Sequence, residues 1–317
     1  MIVCVAASPS VDKLFEVEQL AHGEIHRPLE FLQVPGGKGL NVARAVHVLG
    51  ERVVVTGLLA GHVGRWIQDS LAAEGVEGRF AWAEGETRSS LSVADRRTGR
   101  LTEFYEAGTS ITAEDWTEFE RVVTETIADA SWLCISGSVP PGSPAGGYAS
   151  LVAAARAAGV PVAVDARGEP LARALEAGPE LVKINTAEAE ELLGAAVAGT
   201  GTALDAAAEI RRRAGGRGHA AVVTMGVDGS VLVDPAGEAW HGRLYTRGRY
   251  PVGSGDSFLA GLVSALCQGG SWRAALALGL GAATANAHQP GAGRLDARWA
   301  AELAREVDVV ALGARTV

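Results

Sequence analysis

The chain predicts an α/β fold: a doubly wound, mostly parallel sheet flanked by helices, with a small β-sheet lid. Apolar, β-branched runs such as Ile2–Ala6 and Val53–Leu59 alternate with alanine-rich amphipathic patterns along most of the length. These runs are continuously apolar, as strands covered on both faces must be. Two extended segments, Leu14–Val34 and Arg88–Tyr105, break the alternation and predict the lid.

In chain order, strands are expected at Ile2–Ala6, Val53–Leu59, Trp132–Ser136, Val160–Asp165, Leu181–Ile184, Ala221–Met225 and Ser230–Asp234. Each is short and rich in valine, isoleucine or leucine. Helices are expected at Asn41–Leu49, Gly64–Glu74, Ala113–Ala128, Tyr148–Ala158, Ala187–Leu193, Ala203–Ala214, Gly255–Gln268, Trp272–His288 and Ala297–Val307. Leu14–Val34 carries Phe15, Val17, Ile25, Leu29, Phe31 and Val34 without a helical period. In Arg88–Tyr105, Leu91, Val93, Leu101 and Phe104 flank the polar turn Arg96-Arg97-Thr98-Gly99, a hairpin pattern.

A length of 317 residues suits one domain over 1–317, with the lid inserted in two pieces at about 12–34 and 88–107. The net charge of -9 argues against a nucleic-acid or membrane-surface binder. Cys4, Cys134 and Cys267 lie far apart with no metal-ligand spacing, so they read as reduced thiols of a cytoplasmic protein. The chain opens directly into a strand, without the basic start of a signal peptide. Lysine occurs only at Lys13, Lys38 and Lys183, and two of these fall inside the motifs below.

The stretch Val252–Gly261 (VGSGDSFLAG) frames Ser254 and Asp256 with glycines and leads into an apolar helix. Its backbone N–H groups and the helix dipole can hold an anion, with Asp256 beside it as a base; alone, the stretch reads first as a Ser/Asp helix cap with no chemistry. At such a helix start Asp256 is expected to be held ionised. The segment Pro35–Ala43 (PGGKGLNVA) is neither a P-loop, lacking Ser/Thr after Lys38, nor a dinucleotide fingerprint, lacking the third glycine. It reads as a loop close to a ligand, with Lys38 and Asn41 at a helix start, or as a glycine turn with a cap. Ser136–Gly142, Lys183–Glu188 and Val223–Gly229 likewise end strands in small or polar residues. Asn185 and Glu188 fit a capping box, or a pair that holds water on Mg²⁺. Several strand ends of this kind suggest one site along the edge of a doubly wound sheet.

In this order the motifs resemble the ribokinase-like sugar kinases of the PfkB family, in the branch of 1-phosphofructokinase, tagatose-6-phosphate kinase and the minor 6-phosphofructokinase. The resemblance rests on Ser8-Pro9-Ser10-Val11-Asp12, GGKGLNVA at 36–43, Thr87-Arg88, SGSVPPG at 136–142, Lys183–Glu188 and VGSGDSFLAG at 252–261. It implies an ATP-dependent kinase with Asp256 as general base and Gly253, Ser254 and Gly255 as the anion hole. Asp12, Gly37, Lys38, Asn41, Arg88 and Ser138 fall on the sugar side, Arg88 at a position that grips a phosphate already on the sugar. Lys183, Asn185, Thr224, Gly226, Gly229 and Asn286 fall on the nucleotide side, and Asn185 with Glu188 on Mg²⁺ through water. Fructose 1-phosphate is the expected substrate. Tagatose 6-phosphate and fructose 6-phosphate come next, then ribose or a nucleoside; a sensor without turnover is the non-enzymatic alternative. The implied partners are a sugar phosphate and ATP. Separately, the apolar face of the lid (Phe15, Val17, Phe31, Leu91) suggests pairing with a second copy of the chain, or packing on its own core. The pattern departs at Ser8, where the family often has asparagine, at Ile184, where it has proline, and at Glu24, where the minor 6-phosphofructokinase has lysine.

Overall fold

A computed structural model describes residues 1–313; residues 314–317, the end of the expected domain, lie outside the described residues. Strand β1 (Ile2–Ala6) leads to β2 (Ser10–Val17), β3 (Glu30–Gly36), helix α1 (Lys38–Val48), β4 (Val53–Ala60) and α2 (Gly61–Ala73). Next come β5 (Glu77–Ala83), β6 (Ser89–Asp95), β7 (Leu101–Tyr105), α3 (Ala113–Thr126), β8 (Trp132–Ser136) and α4 (Gly147–Ala157). The middle of the chain holds β9 (Val162–Asp165), α5 (Gly168–Glu176), β10 (Leu181–Asn185), α6 (Thr186–Leu193) and α7 (Thr200–Arg213). It closes with β11 (Ala220–Thr224), β12 (Ser230–Val233), β13 (Ala239–Arg243), α8 (Ser254–Cys267), α9 (Trp272–Ala287), α10 (Ala297–Glu306) and β14 (Asp308–Ala311).

Ten strands form the main sheet in the order β14-β13-β12-β11-β10-β9-β8-β1-β4-β5, and four form a separate sheet, β3-β2-β6-β7. From β11 to β5 all neighbours are parallel, while β12, β13 and β14 add antiparallel strands at one end. The two extended segments do pair with each other, β2 running parallel to β6. Along β1, Ile2, Cys4 and Ala6 join a core with Val42 of α1 and Leu259 of α8. Val3 and Val5 join the opposite core with Phe119 of α3 and Leu151 of α4. Helices therefore cover both faces, which is why the strands read as continuous apolar runs.

Four elements went unread in the sequence. Strand β5 is an edge strand of mixed exposure whose first half, Glu77-Gly78-Arg79, is polar, which leaves only the short run Phe80–Ala83 apolar. Strands β13 and β14 are short and part-exposed, and β14 forms the other edge. Helix α5 has only nine residues and places Pro170 in its first turn, where proline is tolerated but masks a helical pattern.

Strand β1 lies between β8 and β4, so the connections leave it in opposite directions. Such a switch point opens a crevice at the carboxyl ends of the strands. Helix α1 packs directly on that end of β1: a Cβ at Gly39 would run into the Val5 carbonyl oxygen and come within 2.7 Å of the Ala6 Cα. Gly39→Ala is expected to cost about 2 kcal/mol or more of stability through overpacking, measured as a lower urea midpoint. An unchanged midpoint would show that α1 does not need this close approach.

Candidate active site

The site is assembled from strand ends on either side of the switch point. After β1 the chain turns through Ser8 and Pro9 into β2, where the Ser10 hydroxyl donates to Asp12 Oδ1 at 2.6 Å. Gly36, paired with Ser10 at the end of β3, leaves the space that the Asp12 carboxylate fills. Burial pushes the Asp12 carboxyl above its usual range, against the Ser10 hydrogen bond and the Arg88 charge.

Gly37 caps α1 with φ of +92°, a conformation that favours glycine. One turn in, Asn41 is buried and its Nδ2 donates to Asp256 Oδ2 at 2.8 Å. Asn41 Oδ1 is buried without a hydrogen-bond partner. At the start of α1 the Lys38 ammonium reaches Asp165 Oδ1 at 2.8 Å and Glu188 Oε1 at 2.9 Å. Lys183, from β10, reaches the second Asp165 oxygen at 2.6 Å. Burial alone would raise the Asp165 pKa, but the Lys183 and Lys38 ammonium groups hold it below the ordinary carboxylate range. Burial opposes the charge on Lys38 as well, and Asp165 and Glu188 overcome it and keep that group protonated.

Helix α8 begins at Ser254 behind Gly253, whose φ of +80° turns the chain sharply into the helix. Gly253 packs on Ala292, and a Cβ there would lie 2.5 Å from the Ala292 methyl carbon. Arg44 fixes that contact from the opposite side. Its guanidinium donates to the Ala292 carbonyl at 2.8 Å and grips Glu74 through two bonds. The Ser254 N–H, expected as an anion donor, is spent on the Pro251 carbonyl at 3.1 Å. Among the described residues, the N–H groups of Gly253, Gly255 and Asp256 have no acceptor, which leaves them as the unspent donors of the turn.

Asp256 differs from its expected state. Its carboxyl is buried, and desolvation together with the Asp165 charge raises its pKa to about 7, against the pull of Lys38, Lys183 and Asn41. The helix dipole was expected to keep it firmly ionised, but burial outweighs a terminus effect of about 1 kcal/mol. Asp256 therefore titrates near neutrality.

The nucleotide-side residues spread along neighbouring strand ends. Asn185 caps α6, with Glu188 closing the capping box: the Glu188 N–H donates to Asn185 Oδ1, and Glu188 Oε2 accepts from the Asn185 N–H, both at 2.9 Å. Thr224 ends β11, and Gly226 and Gly229 shape the turn into β12, which is a hairpin. Asn286 is fully buried; its amide donates to the Val252 carbonyl at 2.9 Å and accepts from the Ser257 hydroxyl at 3.1 Å. It braces the turn and has no face left for a ligand. Ser138 is exposed beyond β8, with its carbonyl 3.1 Å from the Tyr148 hydroxyl.

A cavity of about 500 Å³ lies between the inner face of the small sheet, including Asp12, Leu32 and Ser90, and the Tyr250–Val252 and Gly291–Ala292 segments. Arg88 does not line it. Its guanidinium is anchored to the Ser8 carbonyl at 3.2 Å and to the Ser8 and Ser90 hydroxyls at 3.3 Å each, and it faces a neighbouring pocket of about 20 Å³. Ser8 thus serves Arg88, while Asp12 is supported by Ser10. Two residues went unread as site members, Asp165 and Arg44. Asp165 carried a signal, an acid closing an apolar strand as Asn185 does; Arg44 looked like an ordinary helix arginine.

The model of the pfkB family carbohydrate kinases matches residues 1–298. Phosphofructokinase-2 from Escherichia coli is 26% identical, with a TM-score of 0.89 over 96% of this chain and 98% of that one. Its tetrameric inhibited form is 27% identical, with a TM-score of 0.88 over the same shares of 96% and 98%. A Thermotoga maritima protein described as a possible 1-phosphofructokinase shares the fold at a TM-score of 0.89 and 24% identity, over 98% of this chain and 99% of that one. The family match spans nearly the whole chain, including every strand end that meets at the switch point, and the chain belongs to the pfkB family of carbohydrate kinases.

Proposed function

We propose that this sugar kinase transfers the γ-phosphoryl group of ATP to a hydroxyl of a phosphorylated ketohexose, fructose 1-phosphate before others, with Asp256 as general base. The observation that carries the reading is Asp256 itself: a buried carboxylate, held by Asn41 at 2.8 Å, at the start of a helix whose turn has free N–H donors. The substrate hydroxyl gives its proton to Asp256 as its oxygen attacks the γ-phosphorus, and ADP leaves. In-line transfer of this kind depends on positioning and charge stabilisation more than on covalent chemistry. The N–H groups of Gly253 and Gly255 meet the negative charge, with Lys183 and Lys38 adding positive charge. Asp12 and the unpartnered Asn41 Oδ1 receive sugar hydroxyls, against Gly37. ATP lies along the ends of β10 and β11, beside Lys183, Thr224, Gly226 and Gly229, and Asn286 acts through the turn it braces.

Magnesium fits this site through water and not by direct ligation. Asn185 Oδ1 keeps acceptor capacity beyond its capping bond, as does each Glu188 oxygen beyond the bonds from Lys38 and the Asn185 N–H, and among the described residues no cluster of three or more His, Cys, Asp or Glu side chains that could hold a metal occurs. When bound, the ion supplies charge neutralisation on the phosphates.

Arg88 supports a phosphorylated sugar. Its fork is held rigid by Ser8 and Ser90 beside Asp12, and a fixed guanidinium suits a phosphate. Fructose 6-phosphate is the second reading, because the phosphofructokinase-2 relative is the more identical of the neighbours. Tagatose 6-phosphate, ribose and nucleosides follow, and a sensor without turnover stands last because the base and its donors are intact.

The outer face of the small sheet supports a homodimer through the lid. Phe31 and Phe104 are 58% and 57% exposed there, on the face opposite Asp12. Two exposed aromatics at opposite edges of one face of the lid suit a second lid.

ADP release with fructose 1-phosphate, fructose 6-phosphate, tagatose 6-phosphate, ribose and adenosine tests the substrate: the first should give the highest kcat/KM, and a preference for ribose or adenosine refutes the sugar-phosphate reading. For the base, kcat should fall as pH drops through about 7, where Asp256 takes up its proton. Asp256→Asn should lower kcat by at least ~100-fold with KM little changed; retained turnover removes Asp256 from the chemistry. Phe31→Asp with Phe104→Asp should turn a dimer into a monomer in sedimentation velocity, and an unchanged sedimentation coefficient excludes this face.

A further inference from the structure

Asp165 is fully buried at the end of β9, and both its oxygens are engaged, one by Lys38 at 2.8 Å and one by Lys183 at 2.6 Å. With no exposed surface it cannot contact a substrate. Lys38, which it holds, is part-exposed and can. We propose that Asp165 is the positioning residue of phosphoryl transfer, fixing two ammonium groups where the charge of the transferring group develops. The inference rests on the kinase reading above, and on Asp256 as base only for its pH readout.

Three observations carry it. The first is Gly255. A Cβ there would lie 2.9 Å from the Lys183 ammonium, and only Lys183 atoms come within 4 Å of that position. Glycine at 255 is therefore the residue that admits a cation to the donor turn. Any larger side chain would displace Lys183 from it.

The second is the unequal exposure of the two lysines. The Lys183 side chain is 3% exposed and that of Lys38 is 34% exposed. Lys183 is enclosed and fixed. Lys38 is anchored by Asp165 and Glu188 on one side and open on the other, free to meet an incoming anion.

The third is cost. Two like charges brought to one buried carboxylate repel each other, and buried ion pairs of this kind are often no more stable than apolar residues of the same volume. Stability alone does not account for the cluster. An ionised pair beside an anion turn does have a use, because charge stabilisation in a water-excluded site needs dipoles and charges fixed in advance.

Asp165→Asn keeps the shape and removes the charge. The expected result is a kcat lower by about 100-fold with sugar KM changed less than about threefold. The acid limb of the kcat profile should also move about one pH unit lower. Asp256 is faced by Asp165, Lys38, Lys183 and the Asn41 amide, and of these only Asp165 opposes its ionisation. Asp165→Glu keeps the charge but moves it by one methylene, so kcat should fall while the limb stays in place.

Loss of folded protein is separated by the double variant Asp165→Asn with Lys183→Met, which removes both charges. Its Tm should recover toward that of wild type while its kcat does not. Unchanged kcat in Asp165→Asn, an unmoved limb, or recovery of kcat together with Tm would each overturn the positioning role. A wild-type profile without any ionisation near pH 7 would instead overturn Asp256 as base, and the kcat and Tm comparisons would still decide Asp165.

Discussion

The carboxylate of Asp165, closed off from solvent, shares its two oxygens between Lys38 and Lys183, and Lys38 reaches on to Glu188. This chain of charges ties the start of α1, the ends of β9 and β10 and the first turn of α6 into one unit. Its electrostatic effect extends to Asp256. Burial and the Asp165 charge push that carboxyl up, the lysines and Asn41 pull it down, and the balance rests near neutrality. A general base works best when its pKa lies near the operating pH. The same cluster thus gathers two cations on one carboxylate and sets the proton affinity of Asp256.

Such a cluster needs backbone segments to approach more closely than side chains normally allow. Gly39 brings α1 onto β1, Gly253 brings the donor turn onto Ala292, and Gly255 leaves room for Lys183. Arg44 holds the far side of this arrangement, binding Ala292 and Glu74 one helical turn beyond Asn41. Helix α1 therefore acts as a strut, with Lys38 on Asp165 and Glu188, Asn41 on Asp256 and Arg44 on the segment behind the turn. The helix that covers the sheet also begins at the candidate site, so packing and site geometry share the same residues.

The small sheet divides its two faces between different tasks. Asp12, Leu32 and Ser90 look into the cavity of about 500 Å³, with Arg88 beside it, while Phe31 and Phe104 look outward. Alternation along a strand makes this division automatic: a register that puts Asp12 over the site must put Phe15 and Phe31 on the other side. Ser8 and Ser10 divide the polar support, one holding Arg88 and the other Asp12. Small hydroxyls suffice because each supports only one group.

The sequence by itself determined the layered α/β architecture, both pieces of the small sheet and the strand-end motifs around Asp12, Asn41, Lys183, Asn185 and Asp256. Those features are local: continuous apolar runs, helix starts and glycine-framed acids carry their physics within a few residues. The edge strands β5 and β14 stayed hidden because pairing with one neighbour and exposure on the other side leave no strong pattern, and β13 between β12 and β14 is short and part-exposed. Tertiary structure alone decided that Ser254 spends its N–H on Pro251, that Asn286 is a brace and that Arg88 is anchored to Ser8. It also decided the state of Asp256. A helix terminus can be read along the chain, but desolvation and the charge of Asp165, ninety-one residues away in sequence, cannot. Burial depends on what the fold brings together, and that is where the proton affinity of this site is set.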